Sequence, residues 1–114
     1  MSRTIELKRK AKQNVDKILS NLIDVKNKIG ENPELGSEEY ESSKLLVNLL
    51  KRHEFEVEYP FGGMDTAFRA VYQKNSGGPI IAILAEYDAL PGVGHGCGHN
   101  IIGTAGIGAG IAVS

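Results

Sequence analysis

The sequence has one cysteine, few aromatic side chains, no long apolar run and almost no net charge. A single cysteine in 114 residues cannot form an internal disulfide bond. Aromatic residues make up 6% of the chain and none lies within the basic segment 3–12, so we expect no nucleic-acid site built from stacking and charge. The longest stretch of mainly apolar and glycine residues, 101–113, is far shorter than the ~20 residues that span a bilayer.

The charge balance and the first residues narrow the expected partners and location. A net charge of −1 gives no general affinity for polyanions, so neither nucleic acid nor a membrane is expected as a partner. The N-terminus lacks an apolar segment followed by small residues, the pattern of a secretory signal. Together with the lone thiol, this predicts a reducing, cytoplasmic location. Apolar residues at 41% and charged residues at 24% indicate one small globular domain.

Two helices are predicted in the first half of the chain. Residues 4–29 carry apolar side chains at alternating steps of three and four, and Gly30 is placed to end that helix. Ser37 is the predicted N-cap of a second helix, whose last turn, residues 51–53, is basic. We interpret His53 as part of that basic end and not as a ligand. The predicted buried faces are Val15, Ile18, Leu22, Val25 and Ile29, then Leu45, Leu46, Leu49 and Leu50.

Three strands and a third helix are predicted in the second half. Residues 55–59 alternate apolar and acidic side chains, and residues 66–72 are rich in strand formers. Residues 80–84 are uninterrupted apolar side chains, typical of a strand that is buried on both faces. After Asn100, glycines at steps of three and four predict a helix that packs closely on a sheet. The order helix, helix, strand, strand, strand, helix indicates a layered α/β fold.

Chemically reactive side chains cluster after the predicted third strand. Glu86 and Asp88 are two residues apart and would share one side of an extended backbone. Cys97 and His99 are also two apart, between glycines that let the backbone approach an ion. Thiolate and imidazole ligands suit zinc, and carboxylates widen the choice toward manganese.

Other interpretations of this cluster stay open from the residues alone. The Cys-x-His pair also fits a buried thiol beside a hydrogen-bonded histidine. His95 is either a support for a ligand, a substrate contact or a plain loop residue. A cysteine hydrolase would instead use Cys97 as nucleophile, with His95 or His99 as base.

Two segments of the chain resemble the motifs of the M20 metallopeptidases, in their amidohydrolase branch. These segments are AEYDALPGVGHGCGHN at 85–100 and NPELGSEEYESS at 32–43, and the resemblance runs from about residue 15 to the end. It implies that residues 1–114 are the N-terminal part of a three-layer α/β/α, zinc-exopeptidase-like catalytic domain. The rest of that domain and a separate lid and dimerisation domain would lie outside this chain.

The resemblance also implies roles for individual residues. Cys97 and His99 match metal ligands, and Asp88 matches the carboxylate that orients the catalytic site. Glu86 stands where other branches have a metal-binding histidine, so its role and that of His95 are open between metal, ligand support and substrate. Divalent metal, zinc or manganese and two ions per complete site, is implied, while the general base and further ligands are not matched in this chain.

Two functions from different classes follow from this resemblance. The first is part of a metal-dependent amidohydrolase that cleaves the amide bond of N-acyl amino acids or small dipeptide-like compounds and forms a homodimer when complete. Without a general base, the 114 residues alone are expected to be inactive. The second is a non-enzymatic folded chain that binds metal partially or associates with itself.

Overall fold

The chain folds as an α/β arrangement of three helices and a small sheet in a computed structural model that describes residues 2–114. A single 3₁₀ turn, His95–Cys97, precedes the last helix. None of the helices within residues 2–114 is long and apolar enough to cross a membrane. The elements are α1 (Arg3–Glu31), α2 (Tyr40–Arg52), β1 (Glu56–Glu58), β2 (Arg69–Val71) and α3 (His99–Val113).

Helix α1 matches the predicted helix but continues through Gly30, so the prediction that Gly30 ends it was wrong. The helix begins after Ser2, whose hydroxyl accepts a hydrogen bond from the N–H of Ile5 at 3.2 Å. Gly30 serves packing instead, because a Cβ there would lie 3.0 Å from Nδ2 of Asn100. That amide donates to the carbonyl of Lys26 at 3.3 Å. The glycine therefore lets the start of α3 dock on the end of α1.

Helix α2 starts later than predicted, and Ser37 is not its cap. Ser37 has a positive φ of 68° in the turn before the helix, and the first helical residue is Tyr40. The carboxylate of Glu34 supplies the cap from the preceding turn. It accepts hydrogen bonds from the backbone N–H of Glu41 at 3.0 Å and of Ser42 at 2.7 Å. A side chain several residues upstream thus replaces the local serine.

The hydrophobic core lies between the three helices. The predicted apolar faces of α1 and α2 are confirmed except at Val15, which is half-buried and outside the core, and Leu22 and Leu45 pack at the margin of the core. His53 directly follows α2, as expected, and its N–H donates to the carbonyl of Leu50 at 3.0 Å. The buried core members are Ile18, Val25, Ile29, Leu46, Leu49, Leu50, Tyr87, Ile107 and Ile111.

The sheet contains two of the three predicted strands. Strands β1 and β2 are antiparallel, with Val57 opposite Ala70. Each is three residues long, shorter than the predicted segments 55–59 and 66–72.

The third predicted strand is absent from the sheet, so the expectation of a doubly buried strand at 80–84 was wrong. Ile80 is 99% exposed, Ile81 81% and Leu84 91%. A doubly buried strand needs neighbouring strands at its edges and cover on both faces. Within residues 2–114 no strand pairs with this segment. The apolar run therefore lies outside the sheet and is largely exposed to solvent.

Helix α3 carries the predicted glycine face and packs closely, but on an irregular segment and not on a sheet. A Cβ on Gly103 would lie 2.9 Å from the carbonyl oxygen of Glu86. A Cβ on Gly106 would lie 3.0 Å from Cβ of Ala85. The absence of side chains on this face thus brings the segment ending at Asp88 against the start of α3, where His99 lies.

Candidate functional site

The imidazole of His99 lies between two carboxylates. Its Nδ1 is 2.8 Å from Oδ1 of Asp88, and its Nε2 is 3.2 Å from Oε2 of Glu86. The side chain of His99 is 20% exposed, against 70% for Glu86. The hydrogen bond to Asp88 raises the pKa of His99 despite the opposing effect of burial, and the charge of Glu86 adds to the rise. Acceptors on both sides of the ring make this a position that favours a cation.

The alternation of the chain at 86–88 delivers both carboxylates to the same ring. Tyr87, between them, turns the other way and is buried in the core. Its hydroxyl donates a hydrogen bond to the backbone carbonyl of Thr66. The side chains of Glu86 and Asp88 thus share one side, as their spacing predicts, although the segment before them is not a strand.

Cys97 approaches the same part of Asp88 as His99 does. Its Sγ is 3.9 Å from the backbone carbonyl oxygen of Asp88, and Nδ1 of His99 is 3.1 Å from that oxygen. Between them Gly98 has a φ of 84°, in the left-handed region that favours glycine, and it turns the 3₁₀ segment into α3. The structure therefore brings Glu86, Asp88, Cys97 and His99 together.

His95 lies beside this group, and its imidazole makes no hydrogen bond within residues 2–114. Both ring nitrogens are buried and have no hydrogen-bond partner among residues 2–114. Burial, and then the positive charge of His99, lower the pKa of His95, against the opposing effect of Asp88 and Glu34. Leaving a buried polar group unpaired costs about 1–3 kcal/mol. The neutral imidazole therefore has one donor and one acceptor that no group within residues 2–114 satisfies.

The two sequence motifs meet at the site. The N–H of Ala89 donates to the carbonyl of Glu34 at 2.7 Å, and Leu35 forms a parallel bridge with Ala89. Gly94 lies against Pro33, since a Cβ on Gly94 would be 3.4 Å from Cγ of Pro33. The sequence prediction did not include Glu34 in the site. An acidic residue just ahead of a predicted helix start is a signal for a helix cap, but no side-chain pattern indicates the backbone link to the site.

The donor types fit part of a metal site. Thiolate and imidazole are zinc ligands, and a ligand histidine commonly donates its other N–H to a carboxylate, as Nδ1 of His99 is placed to do with Asp88. Within residues 2–114, however, no three histidine, cysteine, aspartate or glutamate side chains converge in a geometry that could hold an ion. A catalytic zinc site needs three protein ligands and an open position. Cys97 and His99 have side chains of the right type for two ligands, which is fewer than such a site needs.

The geometry gives no support to Cys97 as a nucleophile. Such a cysteine needs a base within hydrogen-bond reach. Within residues 2–114 the only hydrogen-bond partner of its Sγ is the carbonyl of Asp88, and both nitrogens of His99 face carboxylates.

Comparison with known proteins adds the family. No family model matches the chain. It is 37% identical over 107 residues to a component of the p-aminobenzoyl-glutamate hydrolase of Escherichia coli (strain K12), covering 79% of this chain and 22% of the relative. It is 35% identical over 120 residues to Xaa-Arg dipeptidase of Mus musculus, covering 94% and 27%. Thermostable carboxypeptidase 2 of Saccharolobus solfataricus is 36% identical over 110 residues, covering 84% and 28%.

The chain therefore spans about a quarter of the length of these relatives, between 22% and 28%. These relatives are amidohydrolases and peptidases of the M20 family, and over this segment the chain belongs to that family.

Proposed function

We propose that this chain forms part of the active site of a metal-dependent amidohydrolase. The substrate class is an N-acyl amino acid or a small dipeptide-like compound, in line with the names of the hydrolase and dipeptidase relatives. The observation that carries the proposal is the placement of His99 between Asp88 and Glu86, with Cys97 at the same Asp88 carbonyl. This placement supports the proposal, because an imidazole oriented by a carboxylate and lying near a cysteine side chain would suit a metal site.

In this proposal Cys97 and His99 hold a divalent metal, zinc or manganese. Asp88 would accept a hydrogen bond from the Nδ1–H of His99, which would fix the ring and leave Nε2 available to the metal. When bound, the metal supplies Lewis acidity toward an amide carbonyl and lowers the pKa of a bound water. Glu86 lies at Nε2 and is largely exposed, so its carboxylate is accessible to the metal or to a substrate.

His95 is the proposed substrate contact. Its two buried, unpaired nitrogens give one hydrogen-bond donor and one acceptor, which match the N–H and C=O of an amide. The exposed free thiol of Cys97 favours a reducing compartment, so a cytoplasmic location is part of the proposal. The family resemblance adds a second metal ion and a homodimer for the complete enzyme.

The chain by itself is proposed to be inactive. Hydrolysis needs a base that takes a proton from the attacking water. The carboxylates nearest the candidate ligands, Asp88 and Glu86, already face the two nitrogens of His99. A base and at least one more ligand must come from elsewhere in a complete enzyme.

A segment exchange tests this proposal. The matched part of this chain would replace the homologous segment of the Escherichia coli hydrolase, and hydrolysis of p-aminobenzoyl-glutamate would be measured with and without added metal. We expect metal-dependent activity that Cys97→Ser and His99→Ala abolish, while His53→Ala, outside the site, retains it. A folded, metal-replete exchange protein without activity would contradict the proposal.

A second candidate is a non-enzymatic chain that associates with itself. One observation favours it, namely the exposed apolar segment 80–84, which carries unpaired backbone groups and apolar side chains. Such segments pair with other strands. The two candidates differ in whether the exchange protein has activity.

A further inference from the structure

We propose that Glu34 is a positioning residue that holds Asp88 in place against His99. Its importance for hydrolysis rests on the function proposed above, whereas the contact itself does not. Glu34 touches neither Cys97 nor His99 through a hydrogen bond. It acts through the peptide group that joins Asp88 to Ala89.

The side chain of Glu34 is fixed to helix α2. One carboxylate oxygen accepts from the N–H of Ser42 at 2.7 Å and the other from the N–H of Glu41 at 3.0 Å. These donors belong to the first turn of α2, where backbone N–H groups have no partner within the helix. Burial alone would raise the pKa of Glu34, but these hydrogen bonds outweigh it and the pKa is lowered. The carboxylate is therefore charged and held at both oxygens.

The main chain of Glu34 is fixed to the candidate site. Its carbonyl oxygen accepts from the N–H of Ala89 at 2.7 Å, and the next residue, Leu35, bridges Ala89. Ala89 is 2% exposed, so water does not compete for this bond. One residue thus ties the start of α2 to the segment that carries Asp88.

The Ala89 N–H sets the direction of the Asp88 carbonyl. The two groups belong to one planar peptide unit, and in a trans peptide the N–H and C=O point in opposite directions. With the N–H directed at Glu34, the carbonyl is directed at Nδ1 of His99, 3.1 Å away, and at Sγ of Cys97, 3.9 Å away. The Asp88 carboxylate reaches the same Nδ1 at 2.8 Å.

A cap that only stabilised α2 would not need this second link. Glu38 offers the comparison, because it lies beside the same helix start, is exposed and has no side-chain hydrogen bond among those found in residues 2–114. If charge near the helix end were the whole role, Glu38 and Glu34 would be equivalent. Of these two residues, only Glu34 is hydrogen-bonded to the segment that carries Asp88.

The test combines amide hydrogen exchange at Ala89 with ¹⁵N NMR of the His99 ring at one fixed alkaline pH. In Glu34→Ala, exchange at Ala89 is expected to be about five- to tenfold faster, as a lost cap allows local opening. The Nδ1–H signal of His99 is expected to weaken or shift. Glu34→Gln keeps one acceptor oxygen and should restore part of both signals.

Two controls separate positioning from general loss of stability. Glu38→Ala removes a neighbouring carboxylate, and Ile18→Val weakens the core away from the site. Neither should alter the His99 signal or the exchange at Ala89 relative to the rest of the chain. Unchanged signals in Glu34→Ala, or equal changes in either control, would overturn the proposal. The activity of the segment-exchange protein described above, measured alongside, shows whether the proposed function fails independently.

Discussion

Gly103 of α3 lies directly against the backbone of Glu86, where a Cβ would come within 2.9 Å of the carbonyl oxygen and 3.0 Å of Cβ of Tyr87. Neither neighbour is a flexible side-chain end, so the contact cannot be relieved cheaply. The residue that begins this helix is His99, and the segment it packs on carries Glu86 and Asp88. This close approach therefore sets the distance between the imidazole and its two carboxylates.

We expect Gly103→Ala to lower the free energy of unfolding by about 1–3 kcal/mol, the usual cost of overpacking. Gly110→Ala is the matched control in the same helix. A Cβ there would lie 4.0 Å from Cδ1 of Ile83, an ordinary contact. That variant should gain about 0.5–1 kcal/mol from helix propensity. Urea unfolding of both variants checks the opposite signs, and equal effects would contradict the packing described here.

Tyr87 is expected to make the chain sensitive to alkaline pH. Burial, with the nearby charges of Glu39 and Tyr59, raises its pKa well above the ordinary value of 10.0. The neutral phenol stabilises the fold fully below that ordinary value, and this stabilisation is lost as pH rises through the folded-state pKa. Tyr87→Phe removes the hydrogen bond to Thr66 and should cost about 1–2 kcal/mol near neutral pH.

The control is Tyr40→Phe, at a side chain that is 49% exposed. Unfolding free energies of both variants would be measured from neutral pH into the range above 10. Tyr87→Phe should flatten the alkaline decline, and Tyr40→Phe should leave it as in the unmodified chain. A decline that persists unchanged in Tyr87→Phe would mean that another group causes it.

The helices could be predicted because their signals are local. Apolar spacing along 4–29 and the leucines of α2 identify the buried faces without knowledge of the neighbours. The segment 80–84 was mispredicted because an apolar run indicates residues that favour a buried strand. It does not indicate whether other strands lie beside that segment. Gly30 and Ser37 were mispredicted for a related reason. Gly30 packs against Asn100, which is distant in the sequence, and the cap of α2 comes from Glu34, which lies outside that helix.

The candidate site, like the fold, could be predicted only in part from the sequence. Residue spacing was enough to group Glu86 with Asp88 and Cys97 with His99, because side chains two apart in extended or turning backbone reach a common neighbour. Glu34 could not be found this way. Its link to the site runs through a backbone carbonyl, which every residue has, so no side-chain pattern reports it.

Glu34 is also expected to contribute to acid sensitivity. Its pKa lies below the ordinary value of 4.5 in the folded chain. The stabilisation is therefore present above 4.5 and lost as pH falls through the lowered folded-state pKa. Glu34→Gln should cost about 0.5–2 kcal/mol near neutral pH, as for other caps, and should flatten the acid decline. Glu38→Gln is the control, and an equal change in it would contradict the assignment.

The exposed segment 80–84 predicts self-association. Ile81 is 81% exposed on a segment with no strand partner within residues 2–114, so a lysine there should oppose pairing. Sedimentation velocity over a range of concentrations should show oligomers for the unmodified chain and fewer for Ile81→Lys. Ile5→Lys, at a 57% exposed position on α1, is the control and should associate like the unmodified chain. A monomer at all concentrations would rule out this association.

Titration of the chain with Co²⁺, followed by absorption spectroscopy, tests the metal site most directly. We predict a thiolate-to-cobalt band that Cys97→Ser removes, and binding that His99→Ala weakens strongly. Asp88→Asn should weaken binding about 10–100-fold through the lost partner of Nδ1. His53→Ala, at the end of α2, should bind like the unmodified chain. A thiolate band that survives in Cys97→Ser, or cobalt binding that His99→Ala leaves unchanged, would contradict a metal site at Cys97 and His99.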